Sequence, residues 1–150
     1  MIKRIVLALD GSPESDHALP VAEELALALR APVTIVHVRE MMLAPVVGGV
    51  PRRIDEEQVE ATVRADLASL IAAGIEAELR IIASTSSGSP ANEIAGVAAE
   101  LDAGLIIAGA RGHGLIKGLL VGSVAHRLPY IATCPVLTVP LPADAGDGGA

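Results

Sequence analysis

Residues 105–112 read Leu-Ile-Ile-Ala-Gly-Ala-Arg-Gly, and Gly122-Ser123 follows after nine further residues. This pattern is typical of a strand that runs into a glycine-containing loop and then into a helix. Glycine lets backbone N–H groups approach an anion closely, because it has no Cβ. A helix that begins near Ser123 would direct its free N–H groups and the positive end of its dipole at the same place. The stretch therefore predicts a phosphate-binding loop in a nucleotide-binding protein.

Apolar runs alternate with helical patterns along the chain. Continuous Val/Ile/Leu runs are typical of parallel strands that are covered on both faces. The alternation predicts an α/β fold, a doubly wound parallel sheet with right-handed crossovers, in which ligands bind at the carboxyl ends of the strands. The run 77–82 alternates in polarity and is expected nearer an edge of the sheet. The predicted strands are residues 5–9, 33–38, 77–82, 105–108 and 136–139.

Two Ser-Pro pairs predict helix starts. Ser12-Pro13 and Ser89-Pro90 each place an N-cap residue before a proline at the first helical position. Further helices are predicted over about 55–73, ending at Gly74, and over 123–130, whereas the loop Met41 to Arg52 is expected to be a lid or disordered. The 55–73 helix is predicted to bury one face, which carries Val59, Val63, Leu67, Leu70 and Ile71. Asp66 is expected at the margin of this face, as its polar exception.

Length, charge and composition limit the classes of protein to which the chain can belong. The 150 residues suit one domain, predicted over 1–142, with a disordered tail over 143–150. A net charge of −7 and a single aromatic side chain, Tyr130, argue against binding to nucleic acid. Cys134 is the only cysteine, and neither a signal peptide nor a membrane span is recognised. We therefore expect a cytoplasmic protein.

Asp10 follows the first predicted strand, in the sequence Leu9-Asp10-Gly11-Ser12. One interpretation is that it forms a turn with Gly11, which is common for these residue types. The other is that its carboxylate accepts hydrogen bonds from a ribose or from an adenine edge. A carboxylate is a poor neighbour for phosphate, so the second interpretation places Asp10 at the nucleoside end. Both interpretations stay open.

The glycine loop also carries Arg111, His113 and Lys117. Cations there would neutralise phosphate charge, but all three are equally interpreted as solvated loop residues. Ser123 could cap the helix that it begins, bind a terminal phosphate, or do both through different atoms.

Other familiar motifs do not occur. The sequence has no Walker A string, no G-x-S-x-G elbow and no short histidine spacing that is typical of a metal site. We interpret His37 as a hydrogen-bonded core or edge histidine, His126 as a helix-surface residue and Cys134 as a packed thiol. No residue is assigned as catalytic or metal-binding.

The chain resembles the universal stress protein family. The spacing Gly109-x2-Gly112-x9-Gly122-Ser123 matches the loop of its ATP-binding members, and residues 5–12, 37–38 and 134–137 are similar to its first, second and last strands. The resemblance covers residues 2–140. It implies one adenine-nucleotide α-hydrolase-like domain with a five-stranded parallel sheet in the order 3-2-1-4-5.

The same resemblance implies a ligand and a set of contacts. The ligand would be ATP, with or without Mg²⁺ held mainly by phosphates and waters. Asp10 would contact adenine or ribose, and Val38 would line the adenine pocket. Homodimers commonly form in this family through the last strand, here Val136 to Val139. The other implied nucleotide contacts are Ala8, Leu9, Ala108, Gly109, Arg111, Gly112, Gly122, Ser123 and Val124.

Three functions remain open at this point. The main hypothesis is a regulatory or stress-response nucleotide-binding module with slow or no hydrolysis, because no credible base accompanies the phosphate loop. A second is a slow ATPase in which Arg111, Lys117 and Ser123 stabilise the transition state. A third is a nucleotide-free dimeric interaction protein, against which the intact glycine spacing argues.

Overall fold

The computed structural model describes residues 1–39, 55–84, 89–110 and 123–141. The strands are β1 (Ile5–Ala8), β2 (Val33–Arg39), β3 (Ala77–Ala83), β4 (Leu105–Gly109) and β5 (Val136–Val139). The helices are α1 (Pro13–Asp16), α2 (Ala18–Leu29), α3 (Glu56–Ala72), α4 (Pro90–Glu100) and α5 (Ser123–Ile131). The predicted loop 41–52 and tail 143–150 lie outside the described residues.

The five strands form one parallel sheet in the order β3-β2-β1-β4-β5. β1 is central, since Ile5 lies opposite both Val33 of β2 and Leu105 of β4. The predicted fold class and strand order are confirmed, as is the edge position of β3. Strand order reverses at β1 and β4, which makes the gap between their carboxyl ends the topological switch point of the sheet.

The side chains of β1 alternate between two apolar layers, one on each face of the sheet. Ile5 and Leu7 pack in a layer with buried residues of α2 and α3. Val6 and Ala8 pack in the other layer, with buried residues of α4 and α5. All four side chains of β1 are at most 7% exposed, so this strand is covered on both faces, as its continuous apolar sequence predicts.

Burial on both faces, expected from the apolar run, is wrong for β5, whereas the edge position implied by the family resemblance is confirmed. Val136 and Val139 are half-buried, while Leu137 and Thr138 are exposed. An apolar run alone does not distinguish a central strand from an edge strand, whose outer side has no neighbour within its own chain.

Both Ser-Pro helix starts are confirmed. The Ser12 side chain accepts a hydrogen bond from Ser15 N, and that of Ser89 accepts one from Asn92 N. The helix that follows Ser12 is, however, divided into α1 and α2 at His17. Pro20 explains the division, because it has no N–H for the carbonyl of Asp16 and its ring crowds that carbonyl.

The buried face of α3 differs from its prediction at two positions. Val59, Val63 and Leu70 are buried as expected, but Ile71 is 54% exposed. Asp66 is not marginal: it is only 9% exposed and belongs to the buried stripe. α3 ends before Gly74 as predicted, where a φ of +87° and a hydrogen bond from Gly74 N to Ile71 O turn the chain toward β3.

Candidate functional site

The carboxyl ends of β1, β2 and β4 meet at one edge of the sheet. Ala8 is paired with Val36 of β2 and with Ala108 of β4, so Val38 and Gly109 extend just beyond it on either side. Ala8, Val38 and Ala108 all belong to the apolar layer on the α4 and α5 side, and Val124 of α5 packs against that layer. The structure therefore brings together six of the predicted contacts, namely Ala8, Leu9, Asp10, Val38, Ala108 and Gly109, with Val124 against the same layer.

Asp10 forms the predicted turn. Its Oδ1 accepts hydrogen bonds from Ser12 N at 2.9 Å and from Ser12 Oγ at 2.5 Å, while Gly11 adopts a φ of +76°. Ser12 is fully buried and caps α1 through Ser15 N. The turn interpretation is thus confirmed, and it fixes the carboxylate at the switch point, half-exposed and beside Leu9. A nucleoside contact of Asp10 stays a prediction.

His37 is a hydrogen-bonded core histidine, as predicted. It is 2% exposed, and its Nδ1 lies 3.0 Å from the carbonyl oxygen of Leu9 while its Nε2 lies 2.8 Å from Glu56 Oε1. A carbonyl oxygen only accepts, so Nδ1 donates to Leu9. Through these two contacts His37 joins the end of β1 to the first turn of α3. No local pattern around either residue indicates that Glu56 is its partner.

α3 also approaches the Asp10 turn directly. A Cβ built on Gly11 would lie 2.6 Å from Val59 Cγ1 and 3.2 Å from Val59 Cα. Only glycine allows the turn and the helix to come this close, and only glycine adopts the φ of this position without strain. Gly11 is thus required by packing as well as by turn geometry.

The half-buried Asp16 and the buried Asp66 form an acid pair that sequence reasoning missed. Burial, the charge of Asp16 and a hydrogen bond with Asp16 raise the pKa of Asp66 to about 7. Burial also raises the pKa of Asp16. The signal that could have found the pair is an aspartate within the apolar stripe of a helix, where an unpaired charge is costly.

The remaining candidates divide between described and undescribed parts of the chain. Arg111, Gly112, Gly122 and the Ser123 side chain lie outside the described residues, as do His113 and Lys117. The backbone of Ser123 begins α5, as predicted. His126 is exposed on that helix, as expected, with its ring 5.8 Å from that of Tyr130.

Two classes of chemistry receive no support from the described part of the chain. Cys134 is half-buried, and burial raises the pKa of its thiol, which disfavours the reactive thiolate. Among the described residues, no group of three or more His, Cys, Asp or Glu side chains is arranged to hold a metal ion. None of the described helices combines the length and apolarity that crossing a membrane requires.

The fold and this edge define a doubly wound α/β protein with a candidate ligand site at its switch point. The chain belongs to the universal stress protein family, whose family model matches residues 1–140. It is 35% identical over 149 residues to the universal stress protein YxiE of Bacillus subtilis, an alignment that covers 93% of this chain and 99% of that one.

Two solved structures of similar proteins contain adenine nucleotides. One is a universal stress protein in complex with cAMP, with a TM-score of 0.67, 25% identity and coverage of 93% of this chain and 97% of that chain. The other is the universal stress protein of Archaeoglobus fulgidus in complex with dAMP, with a TM-score of 0.64, 26% identity and coverage of 92% and 97%.

Proposed function

We propose that this universal stress protein is an ATP-binding regulatory module with slow or no hydrolysis. The observation that carries the proposal is the convergence of Asp10, Val38 and Gly109 at the switch point of the sheet. An apolar wall beside a hydrogen-bond acceptor suits a nucleoside, which has flat apolar faces and donating edges. The adenine nucleotides held by two relatives support the same ligand class.

The described residues fit the nucleoside end of such a ligand. Ala8, Val38 and Ala108 are between 2% and 8% exposed and belong to one apolar layer, which reaches the carboxyl edge of the sheet beside Asp10. We assign the adenine to the edge of this layer and the ribose to Asp10. Arg111, Gly112, Gly122 and Ser123 would hold the phosphates, with Mg²⁺ bound mainly through the phosphates and water.

Homodimer formation and a cytoplasmic location belong to the same proposal. The partly exposed apolar side chains of β5, with Leu137 at 37% exposure, support pairing with a second copy along this edge. The single cysteine supports a reducing compartment. Nucleic acid is not a proposed partner, because the net charge is −7.

The first experiment identifies the resident ligand. Protein purified without added nucleotide is denatured, and the released small molecules are analysed by mass spectrometry. The stripped protein is then titrated with adenosine, AMP and ATP, with and without Mg²⁺. Stoichiometric ATP, or saturable micromolar ATP binding, is expected. The absence of both released nucleotide and saturable binding would contradict the proposed function.

Substitution of Asp10 tests the nucleoside end. Asp10→Asn keeps an oxygen that accepts from Ser12 N and Oγ, so the turn should survive, but it replaces one carboxylate oxygen with a donor. We expect binding of adenosine and of ATP to weaken alike, by about tenfold, since a hydrogen bond to a charged group contributes about 1.5–3 kcal/mol. Isothermal titration calorimetry measures both. A loss that is confined to ATP would show that Asp10 acts at the phosphate end.

Substitution of Gly122 tests the phosphate end. Gly122→Val adds bulk where backbone N–H groups would approach phosphate, so we expect ATP affinity to fall at least about tenfold while adenosine affinity stays unchanged. The control is Gly96→Val, because Gly96 lies exposed on α4 and a Cβ added there would have no atom of the described residues within 4 Å. Unchanged ATP affinity in the Gly122 variant would refute the assignment of this loop.

A further inference from the structure

The Asp16–Asp66 pair joins the end of α1 to the middle of α3. The two carboxyl groups lie within hydrogen-bonding reach of each other, and Asp16 Oδ1 and Asp66 Oδ2 are both buried. An ionised carboxylate only accepts hydrogen bonds, so a hydrogen bond between the two groups requires a proton on one of them. The pair is therefore a place where a bound proton would satisfy two buried carboxyl groups at once.

The surroundings of the pair make loss of that proton costly. Asp16 Oδ1 and Asp66 Oδ2 are both buried, and no donor from any other described residue reaches either of them. If both groups were ionised, two negative charges would face each other in a poorly solvated place. Among the described residues, the charge of Asp10 raises the pKa of Asp16 further, whereas that of His17 lowers it.

Both carboxyls hold a proton more tightly than an ordinary aspartate. Burial, the Asp16 charge and the hydrogen bond raise the pKa of Asp66 from the ordinary value of 3.8 to about 7. Burial raises the pKa of Asp16 as well, although the hydrogen bond from Asp66 acts in the opposite direction. At slightly acidic pH the pair therefore holds one proton between its two carboxyls.

The pair lies next to the candidate nucleoside site. Asp16 N donates to Ser12 O at 3.2 Å, and Ser12 in turn donates to Asp10. α3, which carries Asp66, also contacts Gly11 through Val59. A change in the distance between α1 and α3 would therefore reach the Asp10 turn by two routes. One is the hydrogen bond from Asp16 to Ser12, and the other is the contact of Val59 with Gly11.

We propose that the Asp16–Asp66 pair is a proton-dependent link between α1 and α3, formed when the two carboxyls share one proton and weakened when both are ionised. This link would make the Asp10 turn, and hence nucleoside affinity, sensitive to pH near neutrality. The effect on affinity rests on the proposed function, whereas the effect on stability does not.

The stability effect has a definite sign. Asp66 holds its proton more tightly in the folded chain than in the unfolded chain, so stability from this group falls as pH rises. Its contribution is complete below the ordinary pKa value of 3.8 and is lost as pH rises through about 7. This is opposite to the behaviour of a carboxylate in an ion pair, which stabilises the fold at high pH.

Thermal unfolding at pH 5.5 and pH 8 tests the link. Between pH 5.5 and pH 8, we expect the Tm of the unmodified chain to fall by about 5 °C more than the Tm of Asp66→Asn. The asparagine amide donates to Asp16 at both pH values, so that variant lacks the change. The control is Glu24→Gln, which removes the same charge at an exposed position of α2 and should keep the pH dependence of the unmodified chain.

Adenosine is the binding probe, because it has no phosphate that titrates in this range. We expect the unmodified chain to bind adenosine at least about fivefold more weakly at pH 8 than at pH 5.5, and Asp66→Asn to bind it equally at both. If no adenosine or ATP binds at any pH, the proposed function fails while the Tm comparison still tests the link. If adenosine affinity is independent of pH although Tm is not, the coupling to the site is overturned.

A direct titration covers the case in which Asp66→Asn fails to fold. The carboxyl ¹³C resonance of Asp66 in the unmodified chain should titrate with a midpoint near 7. A midpoint near the ordinary 3.8, or a pH dependence of Tm that is the same in Asp66→Asn and Glu24→Gln, would overturn the proposal.

Discussion

Gly11→Ala is expected to lower the free energy of unfolding by about 3 kcal/mol. The new Cβ would lie 2.6 Å from Val59 Cγ1 and 3.2 Å from the Val59 Cα, a backbone atom of α3 that cannot rotate away. The residue would also have to adopt a φ of +76°, which an L side chain disfavours. Urea denaturation followed by circular dichroism measures the loss.

Two other glycines separate the causes of this loss. Gly74 has a φ of +87°, but no atom from the described parts of the chain lies within 4 Å of an added Cβ, so Gly74→Ala should cost only the backbone strain, about 1 kcal/mol. Gly96 lies within α4 without such a φ and has equally open space with respect to the described residues, so Gly96→Ala should stabilise the chain by about 0.5–1 kcal/mol. Equal losses at Gly11 and Gly74 would show that the contact with Val59 contributes nothing.

His37→Ala is expected to cost about 3 kcal/mol as well. The substitution removes a side chain that is 2% exposed, leaves the Leu9 carbonyl without its donor and releases Glu56 from the end of β2. Glu56 is 32% exposed, so water compensates part of its loss. Chemical denaturation of the variant measures the difference in the free energy of unfolding.

Glu56→Gln is the matched control for His37. A glutamine amide can donate to His37 Nε2, and His37 Nδ1 can still donate to Leu9, so both hydrogen bonds persist without the charge. We expect a cost below about 1 kcal/mol for this variant. If His37→Ala lowers the free energy of unfolding as little as Glu56→Gln does, the contacts of His37 do not hold β1 and α3 together.

Local patterns predicted the parts of the fold that depend on local physics. The apolar runs of β1, β2 and β4 identified the central strands, because each is buried on both faces. Ser12 and Ser89 marked helix starts, because capping involves residues only three positions apart. Edge exposure of β5 was not predictable from its apolar sequence, since it depends on which strands lie beside it.

Contacts between distant segments explain what the sequence missed at the candidate site. Asp10 was predictable, since a turn after a strand follows from neighbouring residues. The contacts of His37 with Glu56 and of Asp16 with Asp66 join residues that are far apart along the chain. Nothing in the residue types of α3 indicates which of its acids meets His37 or Asp16, because that depends on how the helix packs against the sheet and α1.

The central position of β1 has a consequence for synthesis on the ribosome. Ile5 precedes its first partner, Val33, by 28 residues and its second partner, Leu105, by 100 residues, so one side of β1 can be paired long before the residues for the other side are made. Until then the nascent chain has an apolar strand with one open side, which is the kind of edge that invites aggregation. Chaperone binding is therefore most needed before β4 has been made. Chains that terminate before β4 keep the open edge, so their rapid degradation matters most.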